Sequence, residues 1–154
     1  GLMRTYAYRP VPERPAGEKF PGILFYTEIF QQTGPMQRLA IQIASHGYVV
    51  MVPEIYHEHE PPGTILGYDD AGKDKGNAYK WKTKLSPFDT DAKVVIEAVT
   101  AHPACDGRLG VIGFCLGGHL AFRGEFNKEI LARPSKIKTA TYREHTGNYF
   151  LLHK

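Results

Sequence analysis

Residues 110–119 read Gly-Val-Ile-Gly-Phe-Cys-Leu-Gly-Gly-His, and Cys115 is the side chain here whose setting points to chemistry. A short, mostly apolar run from Arg108 to Phe114 feeds into a turn of small residues and then a helical pattern. That is the strand–turn–helix context of a nucleophile elbow, G-x-S-x-G. Cysteine stands where serine usually stands, and Gly117 holds the second glycine position. The glycines matter because the nucleophile sits on a strained turn that only small neighbours allow. The turn would also leave the thiol at a helix N-terminus, where backbone N–H groups and the helix dipole stabilise a thiolate. A lone cysteine at a glycine-rich strand end reads as a buried core residue. The elbow context turns that reading towards a nucleophile.

The elements that must position Cys115 alternate. Met3 to Arg9 suggests an opening strand, and the Pro-rich stretch from Pro10 to Gly17 a loop. Gly22 to Tyr26 is a continuous apolar run bounded by Pro21, as in a strand buried on both faces. Gly34-Pro35 opens a helix with Met36, Leu39, Ala40, Ile43 and Ala44 at helical spacing, and Gly47 closes it. Tyr48 to Val52 is a second buried strand. Residues 53–72, rich in Pro, Gly, His and acids, form a long loop of the kind that often carries function. Lys73 to Leu85 reads as a helix with Ala78, Trp81 and Leu85 on one side, although Gly76 interrupts it. Ser86-Pro87-Phe88-Asp89 predicts a capped helix start, with Phe88, Ala92, Val95, Ile96 and Val99 as its buried face. Arg108 to Phe114 is the third buried strand. The order predicts an α/β fold, a mostly parallel sheet with helices on both faces.

In an open parallel sheet, ligands bind beyond the carboxyl ends of the strands. Cys115, the segment Thr27-Glu28-Ile29-Phe30 and the segment Glu54-Ile55-Tyr56-His57 should therefore converge. Glu28 is either a capping or solvated carboxylate or a member of the site. Beside Cys115 it could accept the thiol proton, or restrain the thiol until substrate arrives. The backbone N–H groups of Leu116 and Ile29 are then natural oxyanion-hole donors.

The chain resembles the dienelactone hydrolase (carboxymethylenebutenolidase) family, a cysteine-using branch of the α/β-hydrolases. The resemblance rests on Phe20-Pro21-Gly22-Ile23-Leu24, Thr27-Glu28-Ile29-Phe30, Ala44-Ser45-His46-Gly47-Tyr48, Pro62-Gly63-Thr64 and Gly113-Phe114-Cys115-Leu116-Gly117-Gly118. It implies hydrolysis of an enol-lactone, or another carboxylic ester, through a thioester. Cys115 would be the nucleophile, Glu28 the group that exchanges hydrogen bonds with it, and Leu116 and Ile29 the backbone donors. The implied ligand is a small lactone or ester, with no cofactor and no metal.

Residues 1–123 carry this pattern, as the N-terminal part of such a domain. Residues 124–154 read as a divergent tail, so the fold is expected to be incomplete at its C-terminus, with a sheet edge left for self-association. In α/β-hydrolases the acid and the histidine follow the nucleophile. Here Glu125, Glu129 and Glu144 are the acids after Cys115, and His119, His145 and His153 the histidines. His145, beside Glu144, is the candidate replacement base, whereas His119 reads as a packing residue. Activity could be impaired on this view, and the alternative is a truncated, non-catalytic hydrolase-like protein that binds a ligand or partner. His57-x-His59, flanked by acids, could be a metal pair but reads better as a solvated loop.

Composition excludes several classes. The 154 residues are 42% hydrophobic and 23% charged with a formal charge of +3, which suits one globular domain. No basic run suggests nucleic acid. No apolar stretch approaches the roughly 18 residues of a membrane span, and no signal-peptide pattern appears. Two cysteines do not make a disulfide framework, so a reducing, cytoplasmic setting is expected.

Overall fold

The computed structural model describes residues 2–10 and 17–124, and the backbone of 149–151. The elements run β1 (Thr5–Tyr8), β2 (Phe20–Tyr26), α1 (Gly34–Ser45), β3 (Val49–Pro53), α2 (Asp70–Lys82), α3 (Leu85–Ala101), β4 (Cys105–Phe114), α4 (Leu116–Gly124) and β5 (Tyr149–Leu151). The sheet order is β1-β3-β2-β4-β5. β3, β2 and β4 are parallel, whereas β1 and β5 flank them antiparallel. The sheet is thus mixed, with the parallel part at its centre, where both faces must be covered.

Period-2 alternation divides the core between the two faces. Leu24, Met51 and Val111 lie in one cluster with Val95 and Val99 of α3 and Leu120 of α4. Phe25, Val50 and Ile112 lie in the other, with Met36, Ala40 and Ala44 of α1. Apolar spacing predicted both helix faces, and the buried residues of α3 are Phe88, Ala92, Val95, Ile96 and Val99 as expected. Gly47, at φ 94°, ends α1 in the left-handed region that glycine enters at least cost.

Three local expectations fail for physical reasons. Ser86 does not cap α3, which begins at Leu85 after an extended Lys84 with no side-chain cap. β4 starts three residues earlier than the apolar run, because Asp106-Gly107 is absorbed as an irregularity in its pairing with β2, with Gly107 at φ 89°. α2 starts at Asp70, capped by the Asp69 carboxylate, which accepts from the Gly72 N–H at 2.7 Å. It ends at Lys82, short of the expected Leu85, which opens α3; its inward face is Gly72 and Gly76, whereas Ala78 and Trp81 are exposed. No helix among the described residues is long and apolar enough to cross a membrane.

Candidate active site at the carboxyl ends of the strands

Cys115 follows the last residue of β4 and precedes the first of α4. Its φ is 55°, a left-handed conformation that side chains other than Gly, Asn and Asp seldom adopt, and the residue is exposed. The flanking glycines explain how such a turn is held. A Cβ on Gly113 would collide with the Gly117 carbonyl, and one on Gly117 with the Tyr26 and Thr27 carbonyls. The turn is therefore pressed directly against the end of β2. The N–H of Gly118 bonds the Cys115 carbonyl at 3.1 Å, closing the first turn of α4. The first N–H groups of a helix have no intrahelical partner, and Leu116 is the first residue of α4.

Because the elbow touches Tyr26 and Thr27, the residues that follow them, Glu28 and Ile29, enter the same corner. Ile29 is buried, and the backbone of α2 lies on it: a Cβ on Gly76 would come within 2.7 Å of the Ile29 carbonyl oxygen. Glu28 is half-buried. Its Oε2 accepts a hydrogen bond from the Tyr68 hydroxyl at 2.7 Å. Among the described residues no side chain hydrogen-bonds the Cys115 sulfur; what links Glu28 to the elbow is that it follows Thr27, whose carbonyl lies against Gly117.

The third strand end supplies mostly structural groups. Tyr56 is fully buried, its hydroxyl donating to the Gly76 carbonyl at 2.8 Å and its N–H to Gln31 Oε1 at 3.2 Å. Burial, and secondarily the charge of a Cys115 thiolate, push the Tyr56 phenol well above its ordinary range. It stays a neutral donor. Gln31, itself at φ 65° and buried, also donates to the Thr64 carbonyl at 2.9 Å. One strained residue thereby joins the loop after β2 to the loop after β3. Glu54 is buried and accepts from Tyr6 Oη and the Gly63 N–H, each at 2.8 Å, pinning the second loop to β1.

The two loop histidines diverge. His57 Nε2 meets Asp91 Oδ2 of α3 at 2.9 Å, and His59 Nε2 meets Thr83 Oγ1 at 2.7 Å. His59 also stacks on Tyr79, with centroids 4.8 Å apart and planes at 14°. His57 is thus tied to the first half of α3 and His59 to the C-cap of α2. Among the described residues no group of His, Cys, Asp and Glu could hold a metal ion. His119 is exposed on α4. Glu125, Glu129, Glu144, His145 and His153 lie outside the described residues, as does most of the tail from residue 124.

Sequence reasoning missed Tyr68, Thr33 and Gln31. Tyr68 sits in the long polar loop with no periodic pattern to single it out. The one legible signal near Thr33 is its place before Gly34-Pro35, as a helix N-cap.

Comparison with known proteins extends the geometric reading. The family model described as "Dienelactone hydrolase family" matches residues 3–133. A putative carboxymethylenebutenolidase of Saccharomyces cerevisiae is 45% identical over 129 residues, covering 83% of this chain and 47% of that protein. The carboxymethylenebutenolidase of Pseudomonas sp. (strain P51) is 30% identical over 122 residues, covering 79% of this chain and 50% of its own length. The chain thus spans about half the length of these relatives. A crystal structure of a putative dienelactone hydrolase from Klebsiella pneumoniae superposes with a TM-score of 0.67 at 23% identity, over 83% of this chain and 51% of that one. That likeness bears on the fold.

Proposed function

The chain belongs to the dienelactone hydrolase family, and from that premise we propose that it takes part in hydrolysis of enol-lactones or related carboxylic esters through a thioester on Cys115. The observation that carries this reading is the elbow: an exposed thiol held at φ 55° between two glycines that admit no side chain. Backbone strain of this kind costs on the order of 1–3 kcal/mol and persists where the surroundings enforce it.

The thiolate attacks the carbonyl carbon, forming a C–S bond and moving the carbonyl π pair onto oxygen. The Leu116 and Ile29 N–H groups are the proposed donors to that oxyanion. Collapse breaks the ring C–O bond, and the leaving oxygen takes the electron pair. An enolate leaves more readily than a simple alkoxide, which suits an enol-lactone to a thiolate nucleophile. Water then cleaves the thioester, releasing the acid and the free thiol. Glu28 is the proposed partner of the thiol proton before attack. Its place in the loop pressed against the elbow supports that role. The ligand is a small lactone or ester.

The test is acylation itself. Incubation with p-nitrophenyl acetate should release nitrophenolate and add one acetyl group to Cys115, read by peptide mass spectrometry. Cys115→Ala should abolish both. Acetylation spread over lysines, with Cys115 unmodified, would remove the thiol from the mechanism.

A further inference from the structure

The hydroxyl of Thr33 is in the wrong place for what its position in the chain calls for. Thr33 is the N-cap of α1, with extended backbone (φ −67°, ψ 165°), yet its side chain makes no cap hydrogen bond. A threonine at an N-cap ordinarily accepts from the second or third helical N–H. Here the Thr33 Oγ1 lies 2.8 Å from the Tyr68 hydroxyl, which in turn lies 2.7 Å from Glu28 Oε2. A carboxylate only accepts and a phenol has one proton, so Tyr68 donates to Glu28 and accepts from Thr33. The result is a directed chain, Thr33 to Tyr68 to Glu28.

The Tyr68 ring is held independently of that chain. It packs against Phe30 with centroids 4.6 Å apart, although the residue is 56% exposed. Burial, and then the Glu28 charge, raise the Tyr68 phenol, while Thr33 and the more distant Arg38 of α1 oppose the rise. The phenol therefore keeps its proton and remains a donor. Of the two carboxylate oxygens of Glu28, Oε2 is occupied. No hydrogen bond to Oε1 is present among the described residues.

We propose that Tyr68, itself set by Thr33, is a positioning residue that holds Glu28 and limits its strength as an acceptor for the Cys115 thiol. The inference rests on the proposed role of Glu28 beside Cys115. A carboxylate that already accepts a phenol hydrogen bond holds a second proton donor less tightly. With Tyr68 in place, the thiol is released to the thiolate more easily. Without it, Glu28 retains the thiol as S–H. Among the described residues Tyr56 also interacts electrostatically with the thiol, and burial keeps its phenol protonated.

The experiment measures the pH dependence of iodoacetamide alkylation at Cys115 in the 154-residue chain, by peptide mass spectrometry, for four proteins: the parent, Glu28→Gln, Tyr68→Phe and the double variant. Tyr68→Phe keeps the ring on Phe30 and removes the hydroxyl alone. Removing the Glu28 charge should move the alkylation midpoint to lower pH. Tyr68→Phe should move it to higher pH and slow labelling at neutral pH roughly three-fold. In the Glu28→Gln background, Tyr68→Phe should change nothing. Thr33→Val should reproduce a smaller shift of the same sign as Tyr68→Phe. If Glu28→Gln leaves the profile unmoved, Glu28 is not the thiol's partner and the inference falls with that role. If Glu28→Gln shifts the profile and Tyr68→Phe does not, the role stands and the inference alone is overturned. An equal Tyr68→Phe effect with and without the Glu28 charge would also overturn it, because Tyr68 would then act by another route.

Discussion

Cys115 pays a conformational penalty that its neighbours are shaped to enforce. At φ 55° its Cβ crowds the following carbonyl, an effect worth on the order of 1–2 kcal/mol for an L-residue and absent for glycine. Cys115→Gly should therefore be more stable than Cys115→Ala by about 1 kcal/mol, after allowing for the greater entropy glycine loses on folding. Urea denaturation of the two variants measures the difference, and equal stability would mean the turn is not strained. The neighbouring Gly117→Ala should act in the opposite sense, because its Cβ has only the Tyr26 and Thr27 carbonyls to meet. Backbone cannot yield as a flexible side chain can, so a loss of roughly 3 kcal/mol is expected. At this scale the turn geometry of the candidate site was legible in the sequence. The G-x-C-x-G spacing reports a turn geometry, and turn geometry is a local property. Glu28 was visible as an acid directly after an apolar strand. Tyr68 was not, since its importance comes from meeting Glu28 across 40 positions.

At the scale of elements, α2 shows where pattern reading breaks down. Its sequence carries Ala78 and Trp81 as apparent anchors, yet both are exposed and the helix docks through Gly72 and Gly76. The reason is distance: the helix backbone approaches the Gly67 and Ile29 backbones too closely for any side chain. Apolar periodicity detects burial by large side chains and is blind to burial achieved without them. Gly76→Ala separates the two views. Helix propensity alone predicts a gain of about 1 kcal/mol. The 2.7 Å approach to the Ile29 carbonyl predicts a net loss of stability instead, together with slower acylation of Cys115 as the proposed oxyanion donor is displaced. Trp81→Gln, on the exposed side, should change stability by less than about 0.5 kcal/mol.

The same helix is tied to the long loop by charge. Glu60 accepts from the Tyr79 hydroxyl at 2.6 Å and pairs with Lys75. Lys75 first, then Tyr79, hold the Glu60 carboxyl below its ordinary range. A carboxyl lowered in the folded state binds its proton more readily when unfolded. Its contribution is full above the ordinary carboxylate range and is lost as pH falls through the lowered value. Glu60→Gln should accordingly be less stable than the parent at neutral pH and should show a shallower loss of stability on acidification. Thermal melts recorded between about pH 7 and pH 3 test this, and parallel pH profiles for the two proteins would count against the linkage.

Over the whole molecule, the described residues gather one part of the proposed site more fully than the other. The elbow, the proposed backbone donors and Glu28 all come from the ends of β2 and β4, which pair directly. That convergence was legible in advance, because alternating strands and helices force a parallel sheet whose strand ends share one edge. The histidines were harder to place, since a ring near an active site looks the same in sequence as a ring tied to a helix. Here His57 is engaged by Asp91 and His59 by Thr83, while His119 is exposed. Attack on an ester needs the thiolate and its oxyanion donors, whereas hydrolysis of the thioester also needs a base that activates water. The 154-residue chain should therefore acylate faster than it deacylates. With p-nitrophenyl acetate, stopped-flow absorbance should show a burst of about one nitrophenolate per chain followed by a slower steady phase, the pattern of an accumulating acyl-enzyme. Quenching during the slow phase should trap the acetyl group on Cys115. A linear time course without a burst, at many turnovers per chain, would show that a base reaches the thioester from residues beyond those described, and His145→Gln would then be the variant to restore the burst.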